Sequence, residues 1–205
     1  MPALAEKLMT FEEYLFYDDG TDNRYELVNG ELVQMTQPTM RHILIAKSIE
    51  KQLESEINRL NKPWMCLREI GVRTSIRQSR ITDVCVLTIE QVTEMMNESA
   101  VFDTPPLLAV EVVSPDSVQR DYRHKRSEYA VLGIPEYWII DQLKAKVSVL
   151  LLEDGFYEET VFKGNQQIVS PTFSELSLKL STTNYADKQR IEYNETQWRN
   201  ANCAD

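Results

Sequence analysis

Glu111 stands in the middle of "LLAVEVV", Leu107 to Val113, a run that is otherwise apolar. Side chains alternate across a strand, so Leu107, Ala109, Glu111 and Val113 share one face, and Leu108, Val110 and Val112 share the other. Neither face reads as solvated. An ionised carboxylate buried alone is costly, so it must be paired, hydrogen-bonded or bound to a cation. Asp83 raises the same question at the head of "DVCVL", where acids are depleted in strands. Glu26, between Tyr25 and Leu27, is the third case. Lys125 lies about two turns into a helix expected to start near Ser117. Asp121, four residues earlier, can pair with it on one helix face. Three acids at strand positions and one lysine on the following helix make a candidate Mg²⁺ site. Mg²⁺ takes oxygen ligands, commonly one or two carboxylates completed by water and substrate phosphate. A lysine beside it can orient or deprotonate a water and stabilise charge on a phosphate. A phosphodiester hydrolase needs this composition.

Plainer readings of the same residues stay open. Glu111 could be half of a buried salt bridge with Lys125 and bind no metal. Asp83 could cap a turn after Arg80, and Glu26 could pair with Arg24 or Arg73. His42, on the apolar stripe of a helix, could be a satisfied core histidine. Lys125 lies in "RDYRHKR", which could be a solvated face, although it is the most basic stretch of an acidic chain.

These residues must be positioned by a single domain. The chain has 205 residues, 42% hydrophobic, which is enough for a sizeable core. The spacing predicts one domain over residues 1–180 and a polar tail over 181–205. No apolar run approaches the roughly 18 residues of a membrane span. "MPALAEKLMTFEEYL" lacks the charge order of a signal peptide, so a cytoplasmic protein with no membrane partner is expected. The net charge of −10 disfavours loose, nonspecific nucleic-acid binding but leaves room for a local basic groove or a metal-bridged phosphate. Cys66, Cys85 and Cys203 are too widely spaced for a zinc site, and the first two read as small hydrophobes.

Thr10 and Glu13 form a capping box that opens a first helix. "NRYELVNGELVQM" reads as a hairpin turning at Asn29-Gly30. After Pro38-Thr39 a helix is expected from Met40 to Leu60, with the stripe Ala46, Ile49, Leu53, Ile57 and Leu60 and with His42 one turn before it. Two strands are expected near Trp64 to Glu69 and Gly71 to Ser75, then one at Asp83 to Leu87. The stretch from Gln91 to Pro106 reads as a loop with a short helix at most. After the Leu107 to Val113 strand, Asp116 or Ser117 can cap a helix running to Leu132, stopped by Gly133-Ile134-Pro135. "EYWIID", "KVSVLLLE" and "FYEETVF" read as an antiparallel meander turning at Asp141 to Ala145 and at Asp154-Gly155. The fold class is therefore α/β or α+β, with one central mixed β-sheet flanked by helices.

The segments "RYELVNGELVQMTQPTMRH", "TDVCVL", "LLAVEVVSPDS" and the run from Asp121 through Lys125 to "EYAVLGIPEYWIID" resemble the Uma2 family, formerly a domain of unknown function. The resemblance covers roughly residues 8 to 180. It implies a restriction-endonuclease-like PD-(D/E)XK core of a kind widespread in cyanobacteria. The nuclease signature is Pro-Asp followed by acid-x-Lys in the next core strand. Thr82 stands where the proline would be, and Val113 stands where the lysine would be. The resemblance implies that Lys125 supplies the missing amine from the neighbouring helix. It further implies that Asp83, Glu111 and the carbonyl of Val112 hold Mg²⁺ (or Mn²⁺), that Glu26 is an outer acid, and that His42 is a neighbour of the site. DNA is the implied substrate and a homodimer the implied assembly. Two other functions fit these residues: a nuclease-like module kept for binding or assembly, and a hydrolase of another phosphate ester.

Overall fold

The structure is a computed structural model, and it describes residues 8–174. The expected tail, with Cys203, lies outside the described residues. The elements, in chain order, are α1 (Phe11–Leu15), β1 (Tyr25–Val28), β2 (Glu31–Gln34), α2 (Met40–Arg59), β3 (Trp64–Ser75), β4 (Gln78–Thr88), α3 (Ile89–Glu94), β5 (Val101–Phe102), β6 (Leu108–Val112), a π-helical turn (Arg120–Lys125), α4 (Arg126–Leu132), β7 (Glu136–Asp141), β8 (Lys146–Glu153) and β9 (Phe156–Lys163).

Local chemistry sets most boundaries. The Thr10 hydroxyl accepts from the Glu13 N–H while Glu13 accepts from the Thr10 N–H, so α1 opens on the expected box. Asn29 and Gly30 both take positive φ, +53° and +84°, as a two-residue hairpin turn between twisted strands requires. A side chain at Gly30 would also meet Leu8 Cβ at 2.8 Å. Thr39 caps α2, and the buried face of α2 carries Ala46, Ile49, Leu53 and Ile57 from the expected stripe, joined by Ile45.

One mixed sheet runs β2-β1-β4-β6-β7-β8-β9, with β3 paired to β4 and β5 paired to β3. The β6–β7 pair is parallel, joined by the π-turn and α4, and β7–β8–β9 is the expected antiparallel meander. The alternation of β6 divides the core in two. Leu108, Val110 and Val112 pack with Val84, Val86 and Trp138 beneath α2. Ala109 and Val113 pack with Tyr137 and Ile139 beneath Tyr129 of α4. Full burial of each large aliphatic side chain in these layers contributes about 1.5–3 kcal/mol.

Four expectations change. The two short strands at 64–75 are one continuous strand; Glu69 takes φ +59° at the anticipated break, yet the pairing with β4 resumes in register at Ile70↔Thr82. The strand opened by Asp83 begins earlier, at Gln78, so Asp83 lies inside β4. The helix after β6 does not start on a capping side chain. The Ser117 hydroxyl accepts from the Ser114 N–H and donates to Asp121, and the chain enters a π-turn. The 91–106 stretch contains the end of α3, which starts at Ile89 under a Thr88–Gln91 capping box, and departs from the expected loop with a short helix by adding the two-residue β5.

Glu136 is a purely structural buried acid. Its carboxylate accepts from Trp138 Nε1 at 2.5 Å, from the Ser170 hydroxyl at 3.0 Å and from the Thr172 N–H at 2.9 Å. Phe173, held by that clamp, stacks edge-on against Trp64. Glu136→Ala leaves three donors without an acceptor and should lower the unfolding free energy by about 3 kcal/mol in urea titration. A loss below about 1 kcal/mol would show that the clamp is dispensable.

Candidate active site

One edge of β4 belongs to β3 along nearly its whole length. The other edge is shared. β1 pairs there only at Ser79, and β6 pairs there only from Val84 to Val86. Between these contacts the Ile81 peptide has no strand partner on that side, and two charged side chains take the place of a ladder. The Ile81 N–H donates to Glu26 Oε1 at 3.0 Å, and the Ile81 carbonyl accepts from Lys125 Nζ at 3.0 Å. A buried peptide must be bonded somewhere, and here the bonds bring Glu26 and Lys125 to one point.

Glu111 arrives from the other side of the gap. The β4–β6 ladder stops at Val84↔Val110, one pair short of Asp83 and Glu111. Past that point the Val112 N–H donates to Asp83 Oδ2 at 2.6 Å instead of to a backbone carbonyl. A strand residue's N–H and C=O point to the same side, so the Val112 carbonyl also lies on the edge facing Asp83. Glu111 is bonded at both oxygens: Tyr129 donates its hydroxyl to Oε1 at 2.8 Å, and Lys125 Nζ stands 2.7 Å from Oε2. Lys125 Nζ also lies 3.5 Å from Glu26 Oε1. Lys125 and Glu111 are each 2% exposed, whereas the side chains of Asp83 and His42 are 21% and 15% exposed, so the cluster opens to solvent beside those two.

The structure thus gathers Glu26, Asp83, Glu111, Val112 and Lys125, all singled out from sequence, around one break in a strand edge. His42 joins them from the first turn of α2, its Nε2 3.1 Å from Asp83 Oδ1, and is not closed in the core. The predicted Glu111–Lys125 salt bridge is present. The alternative partners for Glu26 are not: Arg24 bonds Glu69, and Arg73 lies nearest Glu12. Asp83 caps no turn. Asp121, expected to face Lys125, is buried beside it and takes its hydrogen bond from Ser117.

Sequence reading missed two partners. Arg80 is buried, donates to Glu26 Oε2 at 3.1 Å, and grips Glu128 through Nε and Nη2 at 2.7 and 2.6 Å. Its signal was its place among strand residues, two before Thr82. Tyr129 was legible as an aromatic one helical turn beyond Lys125.

Four carboxylates surround one lysine, and the charges respond accordingly. Burial pushes Glu111 well above the ordinary carboxylate range, and the neighbouring Asp83 and Asp121 add to this against the pull of Lys125. Asp121 is raised by burial in the same way. Burial acts to deprotonate Lys125, but Glu111, Glu26, Asp121 and Asp83 outweigh it and hold the amine protonated. Burial would raise Glu26 too, yet Lys125 and Arg80 prevail and keep it below its usual value. His42 is raised because its bond to Asp83 overcomes burial. A protonated Lys125 is a charged donor, not a base.

The Uma2 family profile, described as "Putative restriction endonuclease", matches residues 11–181. A solved protein of Anabaena variabilis ATCC 29413, described as a "putative nuclease belonging to DUF820", superposes with a TM-score of 0.70 at 20% identity, covering 87% of this chain and 98% of its own. That likeness shows the fold alone, a mixed α/β core with a central mixed sheet, as expected. The type IIG restriction endonuclease BpuSI aligns at a TM-score of 0.38 and 14% identity, over 85% of this chain and 19% of that one, too weakly to carry an argument. A comparison with curated proteins gives no match. Among the described residues, no helix is long and apolar enough to cross a membrane.

The shifts fix a pH dependence. Glu111 and Asp121 have raised folded values, so their ionisation costs stability above those values and costs nothing below the ordinary ones of 4.5 and 3.8. His42, also raised, adds stability that is complete below 6.5 and lost as pH climbs through its folded value. Glu111 and Asp121 therefore favour the fold as pH falls from their raised values toward their ordinary ones, and His42 favours it as pH falls through its raised value toward 6.5. Glu26 works oppositely, its contribution being lost only as pH drops through its lowered folded value. In EDTA, the urea midpoint should be higher at about pH 5.5 than at about pH 8, and Glu111→Gln should narrow that difference. An unchanged difference in the variant would contradict this account of Glu111.

Proposed function

The chain belongs to the Uma2 family, and from that premise we propose that it hydrolyses DNA phosphodiester bonds with the help of Mg²⁺. The observation that carries this reading is the convergence of Asp83 and Glu111 where β4 and β6 part, with the Lys125 amine seated on Glu111.

The donor set fits a hard divalent cation, Mg²⁺ or Mn²⁺ in its place. Asp83 and Glu111 offer carboxylate oxygens, and the Val112 carbonyl shares their edge. The cluster holds more carboxylates than Lys125 and a shared Arg80 offset. Among the described residues, no three His, Cys, Asp or Glu side chains form a ligand group. Mg²⁺ is commonly held by only one or two carboxylates, with water and substrate phosphate completing its shell. Bound there, the cation would polarise a phosphate oxygen and lower the pKa of a bound water.

The chain's own residues do the rest. Tyr129 and the Val112 N–H fix the orientation of Glu111 and Asp83. Lys125, kept protonated by Glu111 and Glu26 and held in place by the Ile81 carbonyl, offsets charge that develops on a phosphate oxygen. It fills the role that a lysine at Val113 would have in the standard signature. On this reading Glu26 is a positioning residue, because both its oxygens are engaged by Ile81, Lys125 and Arg80.

One observation favours a second reading, a nuclease-like binding module. Both oxygens of Glu111 already have partners within the protein, so the pair is satisfied on its own. Plasmid nicking separates the two. Wild-type protein with Mg²⁺ should nick supercoiled DNA, Asp83→Ala and Glu111→Ala should fall to background, and Lys125→Met should lose about 10²–10³ in rate. Cleavage unaffected by either acid substitution would overturn the site; DNA binding without cleavage would favour the module.

A further inference from the structure

The π-turn has a second face. Asp121 and Lys125 point inward to the acid cluster, while Tyr122 and Arg123 line an open groove of about 680 Å³ on the other side. The groove runs from the Pro115–Gln119 segment, which follows the acid strand, to the β7–β8 turn and β8, which add Lys144 and Lys146. Both ammonium groups lie over the Tyr122 ring, 5.4 and 4.8 Å from its centre.

This wall is fixed in place. The Tyr122 hydroxyl donates to Asp141 Oδ2 at 2.9 Å, and Asp141 Oδ1 accepts from the N–H groups of Leu143 and Lys144. One buried carboxylate therefore sets both the ring and the turn that carries Lys144. The acids nearby are accounted for. Glu159 is bonded by Arg126 at 3.1 Å and lies 3.9 Å from Lys146, Asp141 lies 3.6 Å from Lys144, and Asp116 is exposed at the rim. The Lys144 side chain remains 62% exposed. Arg123 and Lys144 thus present exposed cations along this wall, beside Lys146, which is 18% exposed and shares Glu159 with Arg126, on a chain of net charge −10.

We propose that this groove is a phosphate-binding subsite for the nucleic-acid backbone, holding the strand where it leaves the acid cluster across the π-turn. The inference rests on the reading of the cluster as a phosphodiesterase centre. Long cations on a rigid, open wall suit a sugar-phosphate chain, whose contacts fix register without reading sequence. A small ligand would require enclosing apolar walls and convergent polar groups. A strand gripped at this groove would be anchored on the same turn that carries Lys125.

The test is fluorescence anisotropy of a labelled DNA duplex with Ca²⁺ present, measured across a range of salt concentrations. Lys144→Ala/Lys146→Ala should weaken binding equally for two unrelated sequences and reduce the salt slope by about 2, near 0.9 for each phosphate no longer neutralised. Lys144→Arg/Lys146→Arg should keep the wild-type slope, which separates charge from misfolding. Lys51→Ala, an exposed cation on α2 across the sheet, should also keep it. Wild-type binding with an unchanged slope in the alanine pair would overturn the subsite and leave the proposed activity standing. A wild type that binds no DNA would overturn both.

Discussion

The peptide of Ile81 lacks a strand neighbour on one side, and the rest of the site follows from how that lack is met. A buried N–H and C=O must be bonded. In place of a ladder the protein uses a carboxylate, Glu26, and an ammonium, Lys125. Both are expensive to bury, and each makes the other tolerable. The cluster then grows outward. Arg80 holds the second oxygen of Glu26, Glu128 holds Arg80, and Glu111 takes the remaining reach of Lys125. A buried ion-pair network of this kind is weak evidence for stability, because similar volumes of apolar side chain would fold at least as well. Its persistence here is better understood as the cost of holding an amine beside acids at the mouth of a gap.

The π-turn is part of the same arrangement. A regular helix entered on a capping side chain was the sequence expectation. The Ser117 hydroxyl is instead spent on Ser114 and Asp121, and the Tyr137 hydroxyl donates to the Asp121 carbonyl. The winding widens over Arg120–Lys125, and both Asp121 and Lys125 turn inward. Such turns are rare and gather at functional sites. Here the turn lets an amine approach Glu111 from a helix, in a chain whose strand carries Val113 where the amine would otherwise stand. Val113 is fully buried against Tyr129 and Tyr137, so a lysine there would displace the packing that seats Tyr129 on Glu111.

How much of this was legible in the sequence depended on the range of the interaction. The Thr10–Glu13 capping box, the Asn29-Gly30 and Asp154-Gly155 turns and the α2 stripe are local, and they appear where their residues demand. The anomaly of Glu111 was equally local, a charge on an apolar strand. What could not be read was who meets whom across the sheet. Arg24 and Arg73 were reasonable partners for Glu26 by nearness in the hairpin or by strand composition, yet Arg80 lies closer once β1 touches β4 at Ser79. The continuity of β3 through Glu69 was hidden because a positive φ in a non-glycine residue has no sequence signal of its own. From the residues alone His42 could be a core histidine, because it continues an apolar stripe; the family resemblance set it beside the site, and the position of Asp83 inside β4 gives it a partner there.

The central claim is that Asp83 and Glu111 together gather a divalent cation at the break in the β4 edge. Calorimetric titration of the metal-free protein with Mn²⁺ tests it most directly. A saturable site in the wild type, displaced by Mg²⁺ and lost in both Asp83→Ala and Glu111→Ala, is the predicted result. No saturable binding in a folded wild type, or binding that survives both substitutions, would contradict it.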